Sequence, residues 1–366
     1  MGAAWFCAPG RGLDVVALSQ TWELAPQLLA WFDRHGRKNL PWQQDISPYR
    51  VWVSEIMLQQ TQVQTVIPYY QRFMQAMPSV QDLAAASEDA VLHLWTGLGY
   101  YSRARNLRKT AQIICAEFGG EFPNDVERMS ELPGIGPSTA GAIVSIAFQR
   151  RAAILDGNVK RVLARFHAVE GYPGEAAVAK LLWQHAEQHT PAARVADYTQ
   201  AIMDLGATLC TRSKPACGLC PLEAKCQANQ LGQAAQFPGK KPKKVLPVKR
   251  TQMLIISGPA QEILLEKRPA TGIWAGLWIF PQLDAALDPV AYCADTLQLN
   301  VEVQERWSEY RHTFSHYHLD IEPVRLQLRA VPHAVMEAGR HLWYNLGAPA
   351  EIGLAAPVAK LLQKLV

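Results

Sequence analysis

The sequence predicts two architectures in one chain, an all-α part reaching to about residue 232 and a smaller α/β part beyond it. Three observations carry this. Apolar residues recur at helical spacing as far as Leu209, with Ser, Asp or Pro at many of the helix starts. The stretch Pro238-Gly-Lys-Lys-Pro-Lys-Lys-Val-Leu-Pro247 is basic and stiffened by proline, as a linker is. Short β-type runs follow it at Gln252 to Ile256, Ile263 to Lys267 and Leu277 to Pro281, then an alternating Leu319-x-Ile321 and Leu326-x-Leu328. Helices are expected at Pro289 to Leu297 and Pro357 to Leu365. At 366 residues the chain can bury a normal core in each of two domains. The expected bounds are a loose extension at 1–21, a helical domain at 22–232, a linker at 233–250 and an α/β domain at 251–366.

The net charge of +4 is too small to identify a polyanionic partner, but its distribution is uneven. No acid occurs between Asp89 and Glu117, where Arg103, Arg105, Arg108 and Lys109 lie. None occurs between Glu223 and Glu262, where Lys225, Lys240, Lys241, Lys243, Lys244, Lys249 and Arg250 lie. A solvated face and a nucleic-acid face both fit such runs. No apolar run is long enough to span a bilayer, and no basic leader precedes an apolar core at the N-terminus. A cytoplasmic protein without a membrane partner is expected, acting as a monomer. Seven cysteines, four of them clustered, fit a reducing compartment and a metal centre better than a disulfide framework.

Taken in order, Trp22 to His35 is an amphipathic helix stopped by Gly36. Arg37-Lys38-Asn39-Leu40-Pro41-Trp42 is a basic turn with an aromatic. Tyr49 to Val66 reads as one helix, apolar around most of its circumference and therefore buried. Glu55 sits inside it, with no cation at i±3 or i±4. A buried, unpaired carboxyl holds its proton near neutral pH. Gln59, Gln60, Thr61 and Gln62 follow, amides and a hydroxyl able to fill the gap left by an extruded base or to form an ordinary polar helix surface. Two helices, Ser79 to Ala86 and Ser87 to Trp95, each start at a capping serine. Gly97-Leu98-Gly99-Tyr100-Tyr101 is a tight turn before a basic helix, Ser102 to Phe118.

Leu132-Pro-Gly-Ile-Gly-Pro-Ser-Thr139 reads as helix, tight turn, helix. Gly134 and Gly136 permit φ > 0 and close approach of another backbone, and Pro137 suits a first helical turn. Free N–H groups at such a helix start favour an anion such as phosphate. The turn has no Gly-Lys-Ser/Thr ending, so it is a poor nucleotide cradle. Downstream, Asp156 stands just ahead of Gly157-Asn158-Val159-Lys160-Arg161. Alone it reads as a helix cap, kept ionised by N–H donors and two cations. Two carboxyls pushed apart in pKa, Glu55 neutral and Asp156 anionic, are the pairing that glycosidic cleavage requires. After a Gly171–Gly174 turn, two further helices end at Leu209. Cys210, Cys217, Cys220 and Cys226 then follow as Cys-x6-Cys-x2-Cys-x5-Cys. Four thiolates so close together need a soft metal centre, and zinc would also accept them.

The hairpin at 132–136, the Leu155-Asp156-Gly157-Asn158 loop and the four cysteines resemble the helix-hairpin-helix, endonuclease III-like DNA glycosylases. Ser54 to Gln62 narrows the resemblance to the branch that removes adenine, and it covers nearly the whole chain from Trp22. The resemblance implies a six-helix barrel at about 46–147 and a cluster-bearing part at 22–45 plus 148–232. It implies one [4Fe–4S] cluster on Cys210, Cys217, Cys220 and Cys226, and double-stranded DNA containing A:8-oxoguanine or A:G as partner. It makes Glu55 the catalytic acid, with Asp156 and Asn158 in the catalytic set. It places Lys38, Gln59, Gln60, Thr61, Leu98, Tyr100, Gly134, Gly136 and Ser138 against DNA, with Gln60 as the wedge. Strand-cutting relatives carry a hairpin lysine for Schiff-base chemistry where this chain has Ser138, so an essentially monofunctional enzyme is expected.

The C-terminal part resembles a Nudix-like domain, but residues 272–300 hold Asp284, Asp288 and Asp295 and no Glu. Nucleoside triphosphate hydrolysis is therefore disfavoured and a recognition module is expected. Arg311-His-Thr-Phe-Ser-His316 matches the family's 8-oxoguanine loop, which assigns Phe314, Ser315 and His316 to that base. On its own the segment reads as a strand end with a polar turn. Three rivals are weighed. A pyrimidine glycosylase–lyase would need the hairpin lysine. A non-catalytic iron–sulfur DNA-binding protein would not need Glu55 in an apolar helix. A Nudix pyrophosphatase would need the missing glutamates.

Overall fold

The computed structural model describes residues 23–242, 245–329 and 340–365. The extension expected at 1–21 lies outside them. The helical part contains α1 (Leu24–His35), α2 (Pro48–Leu58), α3 (Val63–Ala76), α4 (Val80–Ala85), α5 (Glu88–Trp95) and α6 (Ser102–Glu117). It continues with α7 (Val126–Glu131), α8 (Pro137–Ala147), α9 (Gly157–Phe166), α10 (Ala176–His189), α11 (Val195–Thr208) and the short α12 (Gln227–Gln230). Side-chain caps start many of these helices. Ser47 accepts from Arg50 N, Ser79 from Asp82 N, Ser87 from Ala90 N and Asp125 from Arg128 N. Each satisfies a donor that the helix itself leaves open.

One expected helix is corrected. Tyr49 to Val66 is not continuous: α2 ends at Leu58 and α3 starts at Val63. Between them Gln60 takes φ +58°. The polar run 59–62 is therefore a corner between two helices, with Gln60 and Gln62 exposed, not a helix surface.

The first and last parts of the helical domain meet. Asp204 on α11 accepts from Arg37 N at 2.7 Å, from Arg37 Nε at 2.9 Å and from Arg37 Nη2. Nε and Nη2 share Oδ1 while the backbone N–H takes Oδ2, so a nearly buried carboxylate is satisfied on both oxygens by charge-assisted and backbone bonds.

The second part contains β1 (Val248–Ser257), β2 (Glu262–Lys267), β3 (Trp278–Ile279), β4 (Gln282–Asp284), β5 (Val301–Arg306), β6 (Tyr310–Thr313), β7 (His318–Leu328) and β8 (His341–Asn345). Helices α13 (Pro289–Asp295) and α14 (Ala356–Leu362) complete it. The sheet runs β3-β2-β1-β7-β5, with β4 on β1, β6 on β7 and β8 on β2. β1 and β7 are parallel, in register from Val248↔His318 to Ser257↔Gln327. Both faces of β1 are covered. Met253 and Ile255 join the cluster of Val358 and Leu361, while Leu254 and Ile256 join that of Cys293. A strand covered on both sides reads as a continuous apolar run, as Met253 to Ile256 does. The two alternating segments near 319 and 326 are one strand, β7. Strands β4, β5 and β8 were not foreseen, while β6 and the turn after it match the strand end and polar turn read at 311–316.

The parts touch directly. Tyr101 Oη donates to Leu354 O at 3.0 Å, and Arg105 Nη1 to Ala275 O at 2.5 Å. This revises the first acid-free stretch. Arg103 is buried, Arg105 bonds the sheet domain, Arg108 Nε donates to Ala86 O, and Lys109 is the exposed cation of the four.

Candidate active site

Helix α2 sets the first carboxyl. Val51, Trp52, Val53, Ser54, Ile56 and Met57 are buried, whereas Glu55 is only partly so. Among the described residues none donates a hydrogen bond or an ion pair to its carboxyl. Loss of hydration, with the charge of Asp156 as the smaller cause, pushes its pKa up to about 8. That second cause places the two carboxyls in one electrostatic field, although Glu55 and Asp156 lie on different elements.

Asp156 caps α9, its Oδ1 accepting from Val159 N at 2.7 Å. The donors and cations expected around it are present, but burial works against them. Burial raises its pKa, and the N–H groups of Val159 and Asn158 with Arg161 and Lys160 oppose this without cancelling it. The donors were legible in the sequence, whereas the depth of the site was not.

The hairpin stands behind Asp156. Ser138 Oγ accepts from Leu155 N at 3.0 Å, fixing the residue just before it. Gly134 takes φ +80°, and a Cβ there would lie 2.9 Å from Asn106 Cβ. Gly136 faces open space, as a backbone that must meet another molecule does. Asn158 is held inward. Its Oδ1 accepts from Arg161 Nη2 at 2.8 Å, and its Cβ sits where a side chain at Gly206 would go.

The remaining candidates separate by exposure. Gln59 Nε2 donates to Thr139 Oγ1 at 3.4 Å, joining the end of α2 to the hairpin helix. Thr61 Oγ1 bonds Gln59 O at 3.3 Å. Gln60 is exposed and Tyr100 is 52% exposed, with φ +47°. Leu98 is 7% exposed, its side chain covered within the helical domain. Lys38 Nζ donates to Asp33 O at 2.8 Å and stays exposed.

Cys210, Cys217, Cys220 and Cys226 are all free thiols lining one cavity with Leu209, Pro215 and Ala216. Burial raises the thiols of Cys217, Cys220 and Cys226, Cys220 to about 12. Among the described residues no three His, Cys, Asp or Glu are arranged to hold a single metal ion. Arg165 was missed from sequence. It is 2% exposed, and its Nη1 donates to Cys210 Sγ at 3.2 Å and to Thr211 O at 2.8 Å. Its signal was a cation on the apolar face of α9, beside Val162 and Phe166.

In the sheet domain Phe314 packs on Trp274, His312 and Tyr317, with ring centroids 5.3, 4.7 and 4.8 Å apart. Ser315 and His316 are exposed at the turn after β6. Asp288 caps α13 and Asp284 Oδ1 accepts from Ala286 N, so these two carboxylates serve local turns.

A helical fold with a glycine hairpin braced against the loop of one carboxylate, in the field of a second, fits a DNA base-excision class, and comparison with known proteins agrees. Residues 53–188 match the HhH-GPD superfamily base excision DNA repair proteins, and residues 252–364 match the NUDIX domain. The chain belongs to the adenine DNA glycosylase family. It is 40% identical over 338 residues to the adenine DNA glycosylase of Buchnera aphidicola subsp. Baizongia pistaciae, covering 92% of this chain and 95% of the relative. The Mus musculus adenine DNA glycosylase is 37% identical over 377 residues, covering 85% and 72%. A solved thermostable thymine-DNA glycosylase is 26% identical with a TM-score of 0.52, covering 57% of this chain and 95% of that one.

Proposed function

We propose that this protein is a DNA repair glycosylase that removes adenine mispaired with 8-oxoguanine or guanine from double-stranded DNA. The observation that carries the reading is Glu55, a carboxyl without a partner among the described residues, neutral near pH 7 and within the field of Asp156. The adenine is extruded from the stack and enclosed beside Glu55. Glu55 transfers its proton to a ring nitrogen of the base, N7 by family resemblance. The bond from the sugar C1′ to the base nitrogen breaks, with its electron pair leaving on the neutralised base. Asp156 stabilises the cationic sugar, water adds at C1′, and the water proton restores Glu55. The products are free adenine and an abasic site. Ser138 supplies no amine for Schiff-base chemistry, in keeping with base removal without strand cleavage.

Phosphates meet the open backbone at Gly136 and the exposed Arg212, Lys214 and Lys225 of the cysteine loop. The exposed Ser315 and His316 supply the polar groups for 8-oxoguanine. The four thiols around one cavity fit a [4Fe–4S] cluster, with Arg165 donating to Cys210. When bound, such a cluster supplies covalent cross-linking of the loop.

Single-turnover cleavage of an A:8-oxoguanine duplex, developed with alkali, tests the reading. Adenine release by the wild type and its near-complete loss in Glu55→Gln are expected. Equal rates for the two proteins would refute it.

A further inference from the structure

Two residues other than glycine in the helical domain combine a left-handed backbone with an exposed side chain next to the hairpin. Gln60 has φ +58° and Tyr100 has φ +47°. Left-handed backbone is unfavourable for side-chain-bearing residues and persists only where the surroundings enforce it. Here both are enforced by one group. Arg103 Nη1 donates to Ile56 O at 2.8 Å, Met57 O at 2.9 Å and Gln59 O at 2.7 Å. Its Nη2 donates to Leu98 O at 3.2 Å and Gly99 O at 3.1 Å, and reaches Thr61 Oγ1 at 3.4 Å. One arm of the fork therefore ends on the carbonyl just before Gln60, and the other on the carbonyl just before Tyr100.

Among the described residues no carboxylate neutralises the charge. Arg103 is 9% exposed, its Nε has no partner, and burial lowers its pKa to about 10. It is held by the open carbonyls at the end of α2, where the helix dipole is negative, and by the faces of Trp95 and Tyr100 at 5.3 and 5.7 Å. A buried cation spent on backbone carbonyls contributes shape: it sets the distance between two exposed corners of the chain.

We propose that Arg103 is a positioning residue for base extrusion, locking Gln60 and Tyr100 at a fixed separation so that both side chains enter the duplex together. This rests on the glycosylase reading above. A planar fork is needed, because a lysine ammonium cannot span both sets of carbonyls in one plane. The two corners then relax independently, and the cost falls on separating the base pair, with proton transfer at Glu55 untouched.

The test compares wild type and Arg103→Lys in single-turnover excision on two duplexes. One carries adenine opposite 8-oxoguanine; the other carries adenine opposite an abasic analogue, where no base pair has to be broken. The variant is expected to lose about 10- to 100-fold on the first. On the second it should stay within about threefold of wild type, the size of an ordinary rate variation well under one tenfold step. Wild-type rates on both, or an equal loss on both, would overturn the proposal. Arg103→Gln, which needs no buried charge, reads the same comparison if the lysine variant does not fold. A wild type inactive on the first duplex would refute the glycosylase reading itself, a result distinct from an active wild type with an unaffected variant.

Discussion

Asp89 of α5 accepts Lys267 Nζ of β2 at 2.7 Å, so an ion pair crosses from the helical domain to the sheet domain. The other carboxylate oxygen of Asp89 takes Trp278 Nε1 at 3.1 Å. Trp274 lies tilted against Phe314, while its neighbour Ala275 accepts from Arg105. A path of direct contacts thus runs from the proposed 8-oxoguanine loop to α6. Asp89→Ala should loosen it by about 1 kcal/mol, the upper end for a half-exposed pair. The ratio of excision rates on A:8-oxoguanine and A:G duplexes should fall about fivefold, with the A:G rate nearly constant. An unchanged ratio would mean that the two domains read DNA independently.

The proton on Glu55 makes activity depend on pH in a defined direction. Its pKa of about 8 lies above the ordinary 4.5, so the competent acid form is lost as pH rises through about 8. kcat/KM should decline on that limb. Stability follows the same sign. The contribution of this group is full below pH 4.5 and is lost as pH climbs to about 8, because the unfolded chain ionises more easily. Glu55→Gln should lower excision by about 10²- to 10⁴-fold. It should also flatten the decline of stability across that interval, as thermal melts at a series of pH values will show.

Asp156 joins a structural duty to the proposed chemical one, and a single substitution separates them. Asparagine caps helices as well as aspartate does, so Asp156→Asn should keep the Val159 N–H satisfied and change stability by less than about 1 kcal/mol. Excision should nevertheless collapse, since a neutral amide cannot stabilise a cationic sugar. Melting curves beside single-turnover rates check both halves.

Arg165 ties the cysteine loop to α9. It donates to Cys210, Thr211, Arg212 and Phe237, all from a fully buried position. Arg165→Met leaves those carbonyls without donors and should destabilise the loop by about 3 kcal/mol. The purified variant should show reduced iron content and weaker visible absorbance than the wild type, with the sheet domain still folded.

Much of this arrangement was readable from residue order, because capping and hairpin chemistry are local. Ser79, Ser87 and Asp156 announce their helices within four residues, and each makes the predicted cap. What stayed hidden depends on packing at a distance. The break at Gln60 could not be seen, since glutamine is a good helix former and only the Arg103 fork, contributed from α6, stabilises the left-handed corner. Arg103 itself looked like a surface cation among three others. The depth of Asp156 depends on Ser138 of α8 holding Leu155 and on α8 and α9 both packing against α11, which no cap signal encodes. Strand β4 is three residues long, too short for alternation to register.

The triple contact between Arg37 and Asp204 has a bearing on how the enzyme is made. A nascent chain exposes Glu55 early in translation, but the brace that closes the domain is 167 positions behind its partner. A chain that ends before α11 lacks this brace, and a fragment truncated there should be inactive in base excision.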